Sequence, residues 1–246
     1  ALYLAQVADA DVTGLTLSRE QHRIATERAM ETGLADHVRF KLQDYRSEHG
    51  HYDRIVSVGM FEHVGINHYR DYFRMIARCL KDDGIALVHS ISRADGPGYT
   101  NPWITKYIFP GGYCPALSEV IPAIEEAGLF ITDIEILRRH YAETLRMWRE
   151  AFNKNRDQIR DLYDERFCRM WEFYLVTSEL AFSHHGLGDV YKRQIKGRWY
   201  FKSNWRNHLT RYRSRVIILR ILKQPMRLIH ESQHAMIIHA RRRDLF

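Results

Sequence analysis

The stretch Tyr52-Asp-Arg-Ile-Val-Ser-Val-Gly-Met-Phe-Glu-His-Val-Gly65 decides the fold of this 246-residue chain. Its first half, through Val58, is rich in apolar and β-branched residues and predicts a buried strand. Its second half places Glu62 and His63 just after that strand. In open α/β sheets ligands bind outside the carboxyl ends of the strands, so an acid and a base at this point indicate a functional site.

Around this stretch, segments typical of strands alternate with segments typical of helices. The predicted strands are residues 11–17, 38–42, 52–58, 85–91 and 130–137, and the predicted helices are residues 19–32, 67–80, 117–127, 142–156 and 157–182. This alternation predicts an α/β fold with a doubly wound, mostly parallel sheet. Residues 92–115 hold several prolines, glycines and aromatic residues and are too long for a plain connector, so we expect a substrate-facing insertion there.

The composition is that of a globular protein rather than a membrane-spanning one. The chain is 45% apolar and 27% charged, and no apolar run approaches the roughly 20 residues that a transmembrane helix needs. Its three cysteines, Cys79, Cys114 and Cys168, form no C-x-x-C pair. We therefore expect no disulfide framework, no metal site and a cytoplasmic location.

The net charge of +7 is unevenly distributed along the chain. From His184 to the end there are 15 basic residues and 3 acidic ones, whereas the remainder is mildly acidic. We therefore divide the sequence into a domain at residues 1–182 and a basic tail at residues 183–246.

Polar residues from distant parts of the chain are predicted to meet at one edge of the sheet. Glu62 follows one strand, His89 lies near the end of the next, and Tyr141 follows the last. The segments Thr16-Leu-Ser18 and Asp44-Tyr-Arg46 leave the sheet on the same edge. A bound ligand explains this convergence.

Each of these residues also has a simpler structural explanation when it is taken alone. Glu62 could stabilise the start of the next helix through the helix dipole. His89 could be a hydrogen-bonded core residue, Tyr141 could serve packing, and Ser18 is a good helix N-cap. Only the joint pattern favours a functional site.

Several longer motifs resemble the cyclopropane-fatty-acyl-phospholipid synthases, which are class I S-adenosylmethionine-dependent methyltransferases with a Rossmann-like fold. The resemblance covers about residues 1–182. The matching stretches are Val12-Thr-Gly-Leu-Thr-Leu-Ser-Arg-Glu-Gln21, Tyr52 to Gly65 as quoted above, His89-Ser-Ile-Ser92, Asn101-Pro-Trp-Ile104, Tyr107-Ile-Phe-Pro-Gly-Gly-Tyr113, Ile134-Glu-Ile-Leu-Arg-Arg-His-Tyr-Ala-Glu-Thr-Leu145 and Phe167-Cys-Arg-Met-Trp-Glu-Phe-Tyr-Leu175.

The resemblance implies two groups of site residues. S-adenosylmethionine would be held by the first group, which consists of Thr16, Leu17, Ser18, Gln21, Asp44, Tyr45 and Arg46, with Asp44 on the adenine side. A bicarbonate ion would be held by the second group, which consists of Glu62, His89, the backbone of Ile91, and Tyr141.

The resemblance also implies a reaction and its partners. Such enzymes transfer the sulfonium methyl to a cis double bond in a phospholipid acyl chain, and the resulting carbocation loses a proton to bicarbonate as the ring closes. The aromatic segment at residues 103–113 would supply apolar walls for the acyl chain. Peripheral contact with the inner membrane surface and a homodimer are expected, and nucleic acid is not. A relative that leaves a methyl branch would have similar site residues, so both products stay open.

Two departures from the family pattern set further expectations. Family members carry a strand and a glycine-rich turn before the point that matches residue 1, and no G-x-G-x-x-G is present here. We therefore expect a sheet without its first strand and glycine-rich loop, and an inactive fragment that binds S-adenosylmethionine weakly or not at all. The family's N-terminal cysteine of the bicarbonate site has no counterpart among the three cysteines.

The tail is the second departure. The segment Gly188-Asp-Val-Tyr-Lys-Arg-Gln194 looks like translated sequencing adapter, so residues from about 189 are expected not to be native to the family. A different class of function is open here, because the basic, aromatic tail could bind nucleic acid or an anionic membrane. A solvated tail without a function is the simpler alternative.

Overall fold

A computed structural model describes residues 1–196, and residues 236–242 by their backbone alone. The strands are β1 (Ala10–Thr16), β2 (Val38–Leu42), β3 (Tyr52–Val58), β4 (Leu80–Arg93), β5 (Leu129–Leu137), β6 (Leu187–Lys196) and β7 (Met236–Arg242). The helices are α1 (Leu2–Ala8), α2 (Arg19–Glu31), α3 (Tyr69–Cys79), α4 (Pro102–Tyr107), α5 (Leu117–Glu126), α6 (His140–Lys154), α7 (Arg156–Leu162) and α8 (Glu165–His184).

The seven described strands form one sheet in the order β2-β1-β7-β3-β4-β6-β5. Strands β1 and β2 pair in parallel, as do β3 and β4. Strand β7 runs antiparallel to β1 and β3, and β6 runs antiparallel to β4 and β5. Strands β1 to β5 therefore share one direction, and the predicted mostly parallel α/β fold is confirmed.

The centre of the sheet differs from the expectation. The sequence analysis expected a sheet without its first strand, but β7 lies between β1 and β3 and pairs with both. Its Ile238 is the backbone partner of Gly14 on one side and of Val56 on the other. The other residues of the tail, including the aromatic and basic runs at 198–202 and 211–215, lie outside the described residues.

Strand β6 also differs from the expectation, because it extends the sheet past the predicted boundary at residue 182. It includes the segment at 188–194, which we expected to be foreign to the fold. Lys192 and Gln194 on β6 are buried, and Lys192 Nζ donates to Ser90 Oγ at 2.9 Å. Burial lowers the pKa of Lys192 to about 8. Polar residues at inward positions hide the alternation by which such a strand is recognised.

The local signals at element ends explain where helices start and stop. Ser18 Oγ accepts the Gln21 N–H at 3.2 Å and begins α2, as predicted. The predicted helix at 157–182 is two helices, because the chain leaves the helical conformation at Tyr163 and Asp164. Asp164 Oδ1 then accepts the Phe167 N–H at 2.6 Å and caps α8.

Two clusters of buried side chains hold the elements that carry the site. The first joins α3 and α5 to the central strands through residues such as Ile55, Phe73 and Val88. The second joins α6 and α8 through Leu145 and Leu175. None of the described helices is both long enough and apolar enough to cross a membrane.

Candidate active site

A cavity of about 720 Å³ lies at the carboxyl ends of β1, β2 and β3. It brings together six of the seven residues predicted to hold the donor. Its lining consists of Leu15, Thr16, Leu17, Ser18, Gln43, Asp44, Tyr45, Arg46, Met60, His63, Val64, His68, Ile108, Phe109 and Pro110. Predicted residues from two separate loops therefore share one concave surface.

The turn between β1 and α2 is held by its own side chains. Thr16 Oγ1 donates to Gln21 Oε1 at 2.8 Å and accepts the Ser18 N–H at 3.1 Å. Gln21 does not line the cavity and instead holds Thr16 from behind. Leu17 is exposed and presents an apolar side chain to the opening.

On the opposite wall, Asp44 and Arg46 form a two-pronged ion pair. Arg46 Nε and Nη2 both donate to the Asp44 carboxylate, the shortest contact being 2.6 Å. The hydrogen bond from Arg46 holds the pKa of Asp44 below its ordinary value. Tyr45, between them, packs edge-on against Tyr72 with ring centroids 5.6 Å apart. The pair offers both a carboxylate and a guanidinium to a polar ligand.

The loop that carries this pair is anchored by Glu48, whose carboxylate is buried. Oε2 accepts from Lys41 Nζ at 2.8 Å and from Gln43 Nε2 at 3.2 Å. Oε1 accepts from the Gly50 N–H and the Tyr52 hydroxyl, both at 2.9 Å. Burial alone would raise the pKa of Glu48, but these bonds outweigh it and lower the pKa to about 2. Glu48 therefore fixes one cavity wall to the start of β3.

Glu62, the first predicted catalytic residue, lies in the short turn Phe61–His63 after β3. Its Oε1 accepts the Ile91 N–H at 2.7 Å, and its carbonyl accepts the Tyr113 N–H at 2.9 Å. Its Oε2 is buried without a hydrogen-bond partner among the described residues. The Ile91 amide thus binds Glu62 directly, whereas the sequence analysis expected it to face the bicarbonate ion.

His89 is buried on β4 and uses only one ring nitrogen. Its Nε2 lies 3.3 Å from Asp189 Oδ1, and its Nδ1 has no partner in the described part of the chain. Sequence reasoning missed Asp189, because it belongs to the segment expected to lie outside the fold.

Tyr141 lies in the first turn of α6 and packs against Phe182, with ring centroids 4.8 Å apart. Burial raises the pKa of its hydroxyl, and the charges of nearby Asp189 and Glu62 raise it further. The phenol is therefore a neutral hydrogen-bond donor at physiological pH. Its sensitivity to both carboxylates places it close to the residues around Glu62 and His89.

The predicted catalytic group does not line the donor cavity itself. Met60 and His63, on either side of Glu62 in the chain, line that cavity, while the Glu62 side chain reaches β4 instead. The site thus has two compartments, an open donor cavity and a buried polar group, joined by the turn at residues 60–64.

Three further residues belong to the site although they were not predicted as binding residues. His63 and His68 line the cavity beside Phe109, whose ring lies 6.3 Å from that of His63. The sequence signals were present for His63, in the motif after β3, and for Phe109, in the predicted insertion. Within the described residues, no cluster of His, Cys, Asp or Glu could hold a metal ion.

Comparisons with known proteins agree on one kind of enzyme. The family model described as mycolic acid cyclopropane synthetase matches residues 1–192. The chain is 41% identical to tuberculostearic acid methyltransferase of Mycobacterium tuberculosis, covering 76% of this chain and 45% of the relative. It is also 41% identical to cyclopropane-fatty-acyl-phospholipid synthase of Escherichia coli strain K12, covering 74% of this chain and 46% of the relative.

Solved structures give the same result. A cyclopropane synthase from Mycobacterium tuberculosis superimposes with a TM-score of 0.73 at 26% identity, covering 78% of this chain and 72% of that one. A mycolic acid cyclopropane synthase complexed with SAH and CTAB does so with a TM-score of 0.73 at 27% identity, covering 79% and 73%. The chain spans about half the length of these two curated relatives.

Proposed function

This chain belongs to the mycolic acid cyclopropane synthetase family, and from that membership we propose that it adds a methylene group to a cis double bond of a phospholipid acyl chain. The methylene would come from S-adenosylmethionine. The observation that supports this most directly is the buried, unpartnered Glu62 Oε2 beside a half-used His89. Buried polar atoms without partners are rare in proteins and indicate a bound molecule.

The donor would occupy the cavity between the two walls described above. Thr16, Ser18 and the Asp44–Arg46 pair supply hydrogen-bonding groups, while Leu17 and Tyr45 supply apolar surface. The cavity volume of about 720 Å³ is in the range of small-molecule sites. The shared carboxylate and guanidinium can hold a molecule that carries both charges.

The residues of the buried compartment fit a small protonated anion such as bicarbonate. Glu62 Oε2 can accept its O–H, and Tyr141 together with His89 Nδ1 can donate to its oxygens when the imidazole carries its proton there. Bicarbonate bound there would supply a base for the proton that the reaction releases. The contact between His89 Nε2 and Asp189 would fix the orientation of the ring.

The proposed chemistry needs a dry, negatively charged site. An alkene is a weak nucleophile, so the sulfonium methyl must be aligned against it with water excluded. As the new C–C bond forms and the S–C bond breaks, positive charge appears on the acyl chain. The carboxylate of Glu62 would stabilise that charge until a C–H proton leaves and the ring closes. Phe109 and Ile108 would provide apolar surface for the chain.

Mass spectrometry of lipids from cells that express the protein tests this proposal. Gain of one CH2 with loss of the double bond is the expected result, and unchanged lipids despite folded protein would overturn it. A saturated methyl branch would instead support a second candidate, which the equal identity to tuberculostearic acid methyltransferase favours. That product needs a reductant to supply a hydride to the carbocation.

Donor affinity is a separate measurement. Because the sequence has no G-x-G-x-x-G turn to approach the donor, weak binding or none stays our prediction for the purified chain. Titration calorimetry with S-adenosylmethionine measures this directly, and a micromolar dissociation constant would refute it.

A further inference from the structure

One exposed face of α8 has an unusual composition. Arg166, Arg169, Phe173, Val176 and Leu180 are all exposed and follow one another at alternating spacings of three and four residues. Side chains at this spacing lie on the same side of a helix. The face is basic in its first half and apolar in its second. Phe173 is 54% exposed and Leu180 is 48% exposed, so the apolar part is open to solvent.

Helix α4 extends this face with aromatic and basic side chains. The Trp103 ring meets Phe173 edge-on, with centroids 4.9 Å apart, and lies 5.7 Å from Tyr107. Lys106 Nζ lies 5.0 Å from the Tyr107 ring centroid. Lys106, and less strongly Arg166, lower the pKa of the Tyr107 hydroxyl, so both cations are close to it. We refer to Trp103, Lys106, Tyr107, Arg166, Arg169 and Phe173 as the α4–α8 patch.

The cations of the α4–α8 patch are largely free of acidic partners. In the described part of the chain, Lys106 and Arg166 form no ion pair, and Arg169 has only a 3.9 Å contact with Glu165. Glu165 in turn lies 2.8 Å from Arg156. The patch therefore presents uncompensated positive charge beside exposed aromatic rings.

We propose that the α4–α8 patch docks on the surface of an anionic phospholipid bilayer, an inference that rests on the proposed lipid-modifying function. Tryptophan and tyrosine favour the membrane–water interface, and basic side chains are attracted to anionic headgroups. The apolar half of the α8 face suits shallow insertion among the acyl chains.

The position of the patch in the chain connects it to the donor cavity. Helix α4 ends at Tyr107, and the next three residues, Ile108, Phe109 and Pro110, line that cavity. A bilayer that contacts α4 would therefore lie beside the segment that leads to the reaction site. An acyl chain could reach the site without crossing water.

Sedimentation of the full chain with vesicles tests the charge requirement. We compare vesicles of phosphatidylcholine alone with vesicles containing phosphatidylglycerol, without any methyl donor. The variant K106E/R166E/R169E should bind anionic vesicles about a hundredfold more weakly, since each cation near the surface contributes on the order of a factor of five. The matched control R28E/R39E/R74E, with the same charge change on exposed residues of α2, β2 and α3, should lose much less.

Tryptophan quenching tests contact at the patch separately from attraction by the basic tail. Vesicles with brominated acyl chains should quench part of the emission, and that part should disappear in the variant Trp103→Phe. Circular dichroism of each variant establishes that it is folded. Equal vesicle binding by the two charge variants, or quenching unchanged in Trp103→Phe, would overturn the proposal.

The outcomes separate this proposal from the reaction proposed above. Cyclopropane lipid formed in cells, together with vesicle binding that ignores the patch, would overturn the docking surface alone. Patch-dependent binding without any modified lipid would overturn the reaction alone. Loss of a dimer in K106E/R166E/R169E with unchanged vesicle binding would show that the patch contacts a second copy instead.

Discussion

Glu48→Gln is the substitution whose effect follows most directly from the structure. The Glu48 carboxylate is buried and accepts hydrogen bonds from Lys41, Gln43, Gly50 and Tyr52. Glutamine keeps the shape and can still accept at one oxygen, but it loses the charge. It also turns one acceptor into a donor that faces other donors.

The magnitude comes from the pKa of the carboxyl. Folding lowers the pKa of Glu48 from 4.5 to about 2, and each pKa unit corresponds to about 1.4 kcal/mol, so the ionised carboxylate contributes about 3 kcal/mol to folding. Because the folded pKa is the lower one, this contribution is fully present above about pH 4.5. It is lost progressively as the pH falls from there to about 2.

Urea unfolding at a series of pH values measures the difference between the native chain and Glu48→Gln. We expect the native chain to be more stable by about 3 kcal/mol at pH 7, with the difference shrinking below pH 4.5 and vanishing near pH 2. Glu125→Gln, at an exposed glutamate of α5, is the matched control and should change the free energy of unfolding by less than about 0.5 kcal/mol. A difference for Glu48→Gln that is independent of pH would refute the electrostatic explanation.

Three further substitutions test the site and the core. Glu62→Gln should lower product formation in the lipid assay by about a hundredfold or more, yet leave the melting temperature nearly unchanged, because its oxygen can still accept the Ile91 N–H; full activity would exclude Glu62 from the chemistry. Ser18→Ala removes the cap on Gln21 N–H and should cost about 1 kcal/mol in urea unfolding, whereas no change would mean that solvent replaces the bond. Leu145→Ala deletes a fully buried side chain of α6 and should cost about 3 kcal/mol in the same assay; a cost below about 1 kcal/mol would indicate that the second core cluster is loosely packed.

The sequence predicted those parts of the fold that depend on local signals. The bounds of β2 and β3 agree with the prediction to the residue, because each is a short run bounded by polar or glycine-containing turns. The family resemblance is likewise confirmed. Strands β6 and β7 escaped prediction because their pairing depends on distant partners. In β6, moreover, the inward positions carry Lys192 and Gln194, which are not apolar.

The candidate site divides along the same line. Residues that follow strand ends, such as Thr16, Asp44 and Glu62, could be assigned to one edge from chain order alone. The bond from the Ile91 amide to Glu62 and the contact of His89 with Asp189 could not be assigned, since each joins residues about 30 or 100 positions apart. Which polar group satisfies which neighbour is set by packing and not by sequence pattern.

Glu62 has a mechanical consequence beyond its charge. Its side chain binds the backbone of β4, its carbonyl binds the backbone of the insertion at Tyr113, and its neighbours Met60 and His63 line the donor cavity. One residue therefore ties together the strand that carries the histidine, the loop that leads to the acyl wall, and the wall that faces the donor. A ligand that displaces any one of these segments must shift the acid as well, so loading of either substrate would be felt at the reacting centre before chemistry begins.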